Sequence, residues 1–213
     1  MRLVAPVALV AAACGSCSSS ANVPPPAPAP AAPAAVAVPA ASSPWETPAG
    51  WKTETIPFPL EFAPGLPYRG VEELRFPPGF FDKDAAWYFS YAFVWEIVAP
   101  GPASADALEG DLVAYFEGLA KAVGGAEQAE AISAQRFTAA LEGELATGAS
   151  GVIEAFDAFK ARAPVTLHAR ATAVACATAG RVALVVVASP RTPSTDDAVW
   201  TELERLAATY RCR

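Results

Sequence analysis

Histidine is nearly absent from this chain: His168 is the only one in 213 residues. An ordinary zinc site needs several His, Cys or clustered carboxylates at defined spacings, and none of those spacings occurs. A serine triad would have to take His168 as its base, yet no G-x-S-x-G elbow accompanies it. Glycine-rich phosphate loops are missing too. "GASG" and "PPGFF" fit neither the P-loop nor the dinucleotide fingerprint, so no metal and no cofactor is expected. Positive charge is scarce, with 15 Lys and Arg against 22 Asp and Glu and a formal net charge of −7. A nucleic-acid binder needs a basic face, so nucleic acid is excluded as a partner, as is attraction to anionic headgroups through charge. No repeat of fixed period marks a solenoid.

Long apolar runs are lacking as well. The chain opens "MRLVAPVALVAAACGSCSSS". Leu3 to Ala13 is apolar but far short of the roughly 20 residues that span a bilayer. With Arg2 before it and small residues after it, the run reads as an export signal over residues 1–13. Its end, Ala12-Ala13-Cys14 followed by Gly15-Ser16, resembles the lipobox of bacterial lipoproteins. That resemblance implies cleavage before Cys14, lipidation of Cys14 and a membrane anchored through the lipid, in the periplasm or at the cell surface. Ala11 stands where the motif usually has leucine, which leaves ordinary cleavage after Ala13 and a soluble secreted product as the alternative. Residues 14–44 are rich in Ser, Pro and Ala and carry no charge. Proline removes donors and favours extended polyproline II, and so few large apolar side chains cannot offset the entropy of ordering. The segment reads as a disordered, semi-rigid tether.

Residues 45–213 are the expected folded domain. "WKTETIPFPLEF" alternates like a strand, but Pro57 and Pro59 place it at a sheet edge. "VEELRF" is a short strand, and 86–98 form an aromatic one. Ser104 is positioned to cap a helix to about Val123, with Leu108, Leu112, Tyr115, Phe116 and Leu119 on one stripe and Gly124-Gly125 ending it. Residues 126–142 are ambiguous between helix propensity and strand alternation, and a strand over 133–142 is favoured, paired with "VIEAFDAF". "VTLHARATAVACA" is β-like, and the β-branched "RVALVVVAS" reads as a central strand. Ser194 is expected to cap a last helix carrying Val199, Trp200, Leu203, Leu206 and Tyr210. The pattern predicts an α+β single domain, mainly antiparallel sheet, with two helices packed on one face. The stretch "WKTETIPFPLEFAPGLPYRGVEELRFPPGFF" resembles uncharacterised exported proteins of bacteria, a resemblance that implies no activity.

Cysteine is sparse: Cys14 and Cys17 lie near the start, Cys176 and Cys212 in the domain. In an oxidising compartment an isolated pair tends to bond, so Cys176–Cys212 is expected to pin the last helix to the sheet. No C-x-x-C spacing in the domain suggests a redox pair. Cys17 has no assigned partner.

Aromatics, by contrast, are concentrated. In "WYFSYAFVWEI" every odd position from Trp87 to Trp95 is aromatic, and the row is either a face packed under the first helix or a surface that holds a ligand. "PGFFDKDAAWYF" would offer Phe80, Phe81 and Trp87 on a loop. Glu72 and Glu73 are adjacent, so they point to opposite sheet faces and cannot pair as a glycosidase dyad. Glu96 follows Trp95, and a carboxylate in an apolar pocket can be an acid with raised pKa; otherwise it is a charge meeting solvent. His168 shares a strand face with Thr166, Arg170 and Thr172, either a solvated face or a polar cleft with Arg170 as anion clamp and His168 as base, joined by Asp157. The candidate ligand-binding residues are therefore Trp87, Trp95, Glu96, His168 and Arg170. The favoured reading is a noncatalytic envelope protein whose domain binds a protein, glycan or lipid. The alternative is a small exported hydrolase using carboxylates or His168.

Overall fold

The computed structural model describes residues 45–98, 101–102 and 104–213. The export signal, Cys14, Cys17 and the tether lie outside the described residues. Among the described residues, seven strands form one antiparallel sheet: β1 (Lys52–Phe58), β2 (Gly70–Phe76), β3 (Tyr91–Val98), β4 (Thr138–Glu144), β5 (Gly148–Asp157), β6 (Ala163–Ala175) and β7 (Arg181–Ser189), in the order β1-β2-β3-β7-β6-β5-β4. Three helices accompany them: α1 (Ala105–Gly124), α2 (Ala129–Ala134), which follows a short 3-10 turn, and α3 (Ala198–Thr209). Two meanders, β1-β2-β3 and β4-β5-β6-β7, meet where β7 pairs with β3. The apolar, β-branched sequence of β7 thus lies at the centre, and the proline-bearing β1 at an edge.

The sheet is covered on both faces, which corrects the expectation of two helices on one face. Leu108, Leu112, Tyr115 and Phe116 of α1 pack on Phe93, Trp95, Ile153, Leu167 and Val186. Val199, Trp200, Leu203 and Leu206 of α3 pack on the other side, against Ala92, Val94, Val185 and Val187. The reason lies in β3 and β7. Both are buried almost end to end, as strands covered on two faces must be, and such strands read as continuous apolar runs rather than alternating ones.

Local chemistry sets the helix ends. Ser104 Oγ accepts from the Ala107 amide at 3.2 Å, and Gly125, at φ 53°, closes α1. Gly118 lets α1 lie on the preceding segment, since a Cβ there would come within 2.1 Å of the Phe62 carbonyl oxygen. α3 begins later than expected. Asp197 is its cap, accepting from Val199 at 2.9 Å and Trp200 at 3.2 Å, while Ser194 shapes the turn before it. The ambiguous stretch divides: 129–134 is α2, and the strand is 138–144 rather than 133–142.

Candidate functional site: a groove between the last helix and the sheet

α3 covers β3 and β7 but not the outer strands of its face. Its side toward β6 carries Glu204, Ala207 and Ala208, and β6 answers with Arg170, Thr172 and Val174, which stand opposite Val187, Val185 and Ala183 of β7. Alanines on the helix and short side chains on the strand cannot fill the space between them. A groove of about 740 Å³ remains, with Val174, Val185 and Val187 along its floor. Its size and largely apolar lining are those of a ligand pocket. Charge is confined to three side chains: Arg170, Glu204 and Arg211. Arg170 forms an ion pair with Glu204 and lies over the Trp200 ring, 5.5 Å from its centroid. Arg211 donates to the carbonyls of Ala208 at 2.9 Å and Tyr210 at 2.6 Å.

The expected disulfide is present and lines this groove. Cys176 and Cys212 are bonded with a Cα–Cα distance of 5.5 Å, joining the end of β6 to the segment after α3. That segment is also held by buried carboxylates. Glu96 accepts from the Tyr210 hydroxyl at 2.7 Å, the Arg213 amide at 3.1 Å and Arg181 at 2.9 Å. Glu73 takes Arg75 at 3.2 Å and Arg213. Burial alone would raise the Glu96 pKa, but the donors Tyr210, Arg213 and Arg181 outweigh it, and the carboxyl sits below its ordinary value. Glu96 is therefore a buried carboxylate held by three donors rather than a solvent-facing charge. It is an ionised anchor.

The other sequence candidates divide by face. Phe89, Tyr91, Phe93 and Trp95 are buried in the α1-side core, so the aromatic row is core there. Tyr115 stacks on Phe93 with ring centroids 5.5 Å apart. A void among Phe76, Phe89, Tyr91 and Tyr115 measures only about 50 Å³, far below ligand size. Trp87 leaves the row: the strand starts at Tyr91, the chain turns at Phe89 (φ 47°), and Trp87 packs edge-on against Trp51 at 5.3 Å beside the α3-side core. Phe80 is buried, while Phe81 is 44% exposed. His168 is half-buried on the α3 face, opposite Val152 and Ser189. It shares that face with Arg170 but does not line the groove. Asp157 does not join it. The register puts Asp157 with Ile153 and Ala155 on the α1 face, where it organises a turn by accepting from Phe159, Lys160, Ala161 and the Tyr88 hydroxyl.

Glu72 and Glu73 do point to opposite faces, and both are buried. Trp95 Nε1 donates to Glu72 Oε1 at 3.0 Å, and Glu72 Oε2 has no hydrogen-bond partner. Burial pushes this carboxyl up to about 7 against the lowering by Trp95 and Tyr115, and the nearby charge of Glu54 adds to the rise. Of the candidates, only Arg170 lies in the groove. Sequence reasoning does not find Glu204, Ala207, Ala208 and Arg211; the signal available for them is the small-residue pair 207–208 near the end of an amphipathic helix. Among the described residues, no group of three or more His, Cys, Asp or Glu could hold a metal, and no helix is long and apolar enough to cross a membrane. No family model, curated protein or solved structure matches the chain.

Proposed function

We propose that this chain is an exported envelope protein, lipid-anchored through Cys14, whose domain binds a ligand noncatalytically in the groove between α3 and β6. The observation that carries the binding reading is the groove itself: a volume of about 740 Å³, an apolar floor and three charged side chains. The disulfide is compatible with an exporting route. The lipobox-like start supplies the anchor in this reading, and the uncharged tether supplies reach. No observation favours the hydrolase. Among the described residues no hydrogen bond or ion pair joins His168 to a carboxylate, and Glu96 is engaged by three donors.

Ala208→Trp tests the groove. Ala208 is exposed and lines it, so an indole there obstructs the space without entering the core. The parent and the variant are to be melted against a panel of envelope lipids, glycans and peptides. A ligand that raises the parent's melting temperature and leaves the variant's unchanged supports the reading. Ligands that stabilise both chains equally would place binding elsewhere. Turnover lost in His168→Ala or Glu96→Gln, with the fold intact, would replace the reading with the hydrolase.

A further inference from the structure

The groove has a direction. At one end Arg170 of β6 is paired with Glu204 of α3. At the other, Cys176 at the end of β6 is bonded to Cys212 after α3. Helix and strand therefore run side by side between these two ties. Arg170 and Cys176 are six residue steps apart, which at roughly 3.3 Å per step is about 20 Å of trough. Between the ties, the lining includes Thr172 and Val174 of β6, Val185 of β7, and Ala207, Ala208 and Tyr210 from the last helix and its end. No carboxylate lies in that stretch. Such a trough suits one narrow, flexible apolar chain better than a bulky ring system or a second helix.

The two ends differ in charge. The Arg170 guanidinium already has its carboxylate. Arg211, near the disulfide end, has none: it donates only to backbone carbonyls, and no ion pair to it exists among the described residues. Most of the other described arginines are ion-paired, among them Arg75, Arg170, Arg181, Arg191, Arg205 and Arg213; Arg69 and Arg136 are not, but neither lines the groove. In a chain whose acids outnumber its bases, a cation without a carboxylate at the mouth of an apolar trough is complementary to an anionic head. Charge-assisted hydrogen bonds from a guanidinium to a carboxylate or phosphate are among the stronger polar contacts available.

We propose that the groove binds a single-chain anionic amphiphile, with the tail lying along β6 between α3 and the sheet and the head at Arg211. This rests on the reading of the groove as the binding site and names the class of ligand it takes.

The test is calorimetric titration of the full chain, below the micellar range, with three probes that share one tail: dodecanoate, dodecyltrimethylammonium and dodecanol. Dodecanoate is expected to bind best, with the cationic probe weaker by about tenfold or more, the size of one charged hydrogen bond gained or lost. Arg211→Glu should weaken dodecanoate by a similar factor while leaving dodecanol unchanged. Ala208→Trp, or Thr172→Trp from the opposite wall, should abolish binding of all three. Thr172→Trp serves should the helix variant fail to fold. Equal affinity for the three probes, still sensitive to Ala208→Trp, would overturn the anionic head and leave the groove standing. Binding that neither tryptophan affects would overturn the groove as well. No binding of any probe, with a glycan or peptide from the wider panel still blocked by Ala208→Trp, would overturn the amphiphile alone.

Discussion

Glu72 is fully buried with one carboxyl oxygen lacking a partner, and the charged groups near it are of its own sign. The elements around it offer Glu54 from β1, Tyr91 and Trp95 from β3, and Tyr115 from α1. None is a cation. Its folded pKa of about 7 stands above the ordinary 4.5, so the folded state holds the proton more tightly than the unfolded chain. The contribution to stability is then fully present below about pH 4.5, falls as pH rises toward 7, and is flat above that. At about 1.4 kcal/mol per pKa unit the loss is on the order of 3 kcal/mol. Glu72→Gln should flatten the stability profile between pH 4.5 and 7 relative to the parent, measured by urea unfolding at each pH. An unchanged slope would mean that Glu72 stays ionised. Sequence alone could place Glu72 and Glu73 on opposite faces, because strand alternation is geometric. It could not show that both are buried, since a Glu-Glu pair in a short strand looks solvated until the two covering helices are known. Glu96 was misread for the same reason: its three donors come from β7, from Tyr210 and from Arg213, far away in sequence.

At the scale of elements, α3 depends on what fastens it. Its apolar stripe buries Val199, Trp200, Leu203 and Leu206, Trp45 Nε1 donates to the Leu206 carbonyl at 3.0 Å, and the disulfide closes a loop with a sequence separation of 36. A cross-link over that length restricts the unfolded chain by roughly 3–4 kcal/mol. The double variant Cys176→Ser, Cys212→Ser should lose stability of that order, seen as a lower urea midpoint, and it should loosen the groove because the bond is one of its two ties. A midpoint within error of the parent would mean that the Glu96 and Glu73 anchors suffice. The elements that could be read from sequence were those with a strong period or strong propensity: α1 with its cap and glycine stop, the apolar β7, and the proline-marked edge strand β1. β4 and α2 were blurred because an alanine- and glutamate-rich stretch has helix propensity throughout, and only pairing with β5 selects the strand. The start of β3 was overrun because aromatic alternation continues through Trp87 and Phe89, while the backbone turns at Phe89.

Among the described residues, two large cores share one sheet between them, and a third, small cluster of Ala120, Ile132, Phe156 and Ala158 lies beside α2. β3 gives Phe93 and Trp95 to the α1 side and Ala92 and Val94 to the α3 side; β7 gives Leu184 and Val186 to one and Val185 and Val187 to the other. Neither core can come apart while these strands stay flat and paired, and neither helix layer has a sheet to itself. Unfolding should therefore be one cooperative transition rather than two. Truncations on opposite faces test this. Trp95→Ala should cost about 3–5 kcal/mol, and Leu203→Ala about 2–5 kcal/mol. In each variant, far-UV circular dichroism and the remaining tryptophan fluorescence should fall together at one midpoint. If Leu203→Ala instead splits the curves, with fluorescence near Trp200 lost first and the sheet signal persisting, then α3 is a separable layer, and the groove it borders would open and close independently of the sheet beneath it.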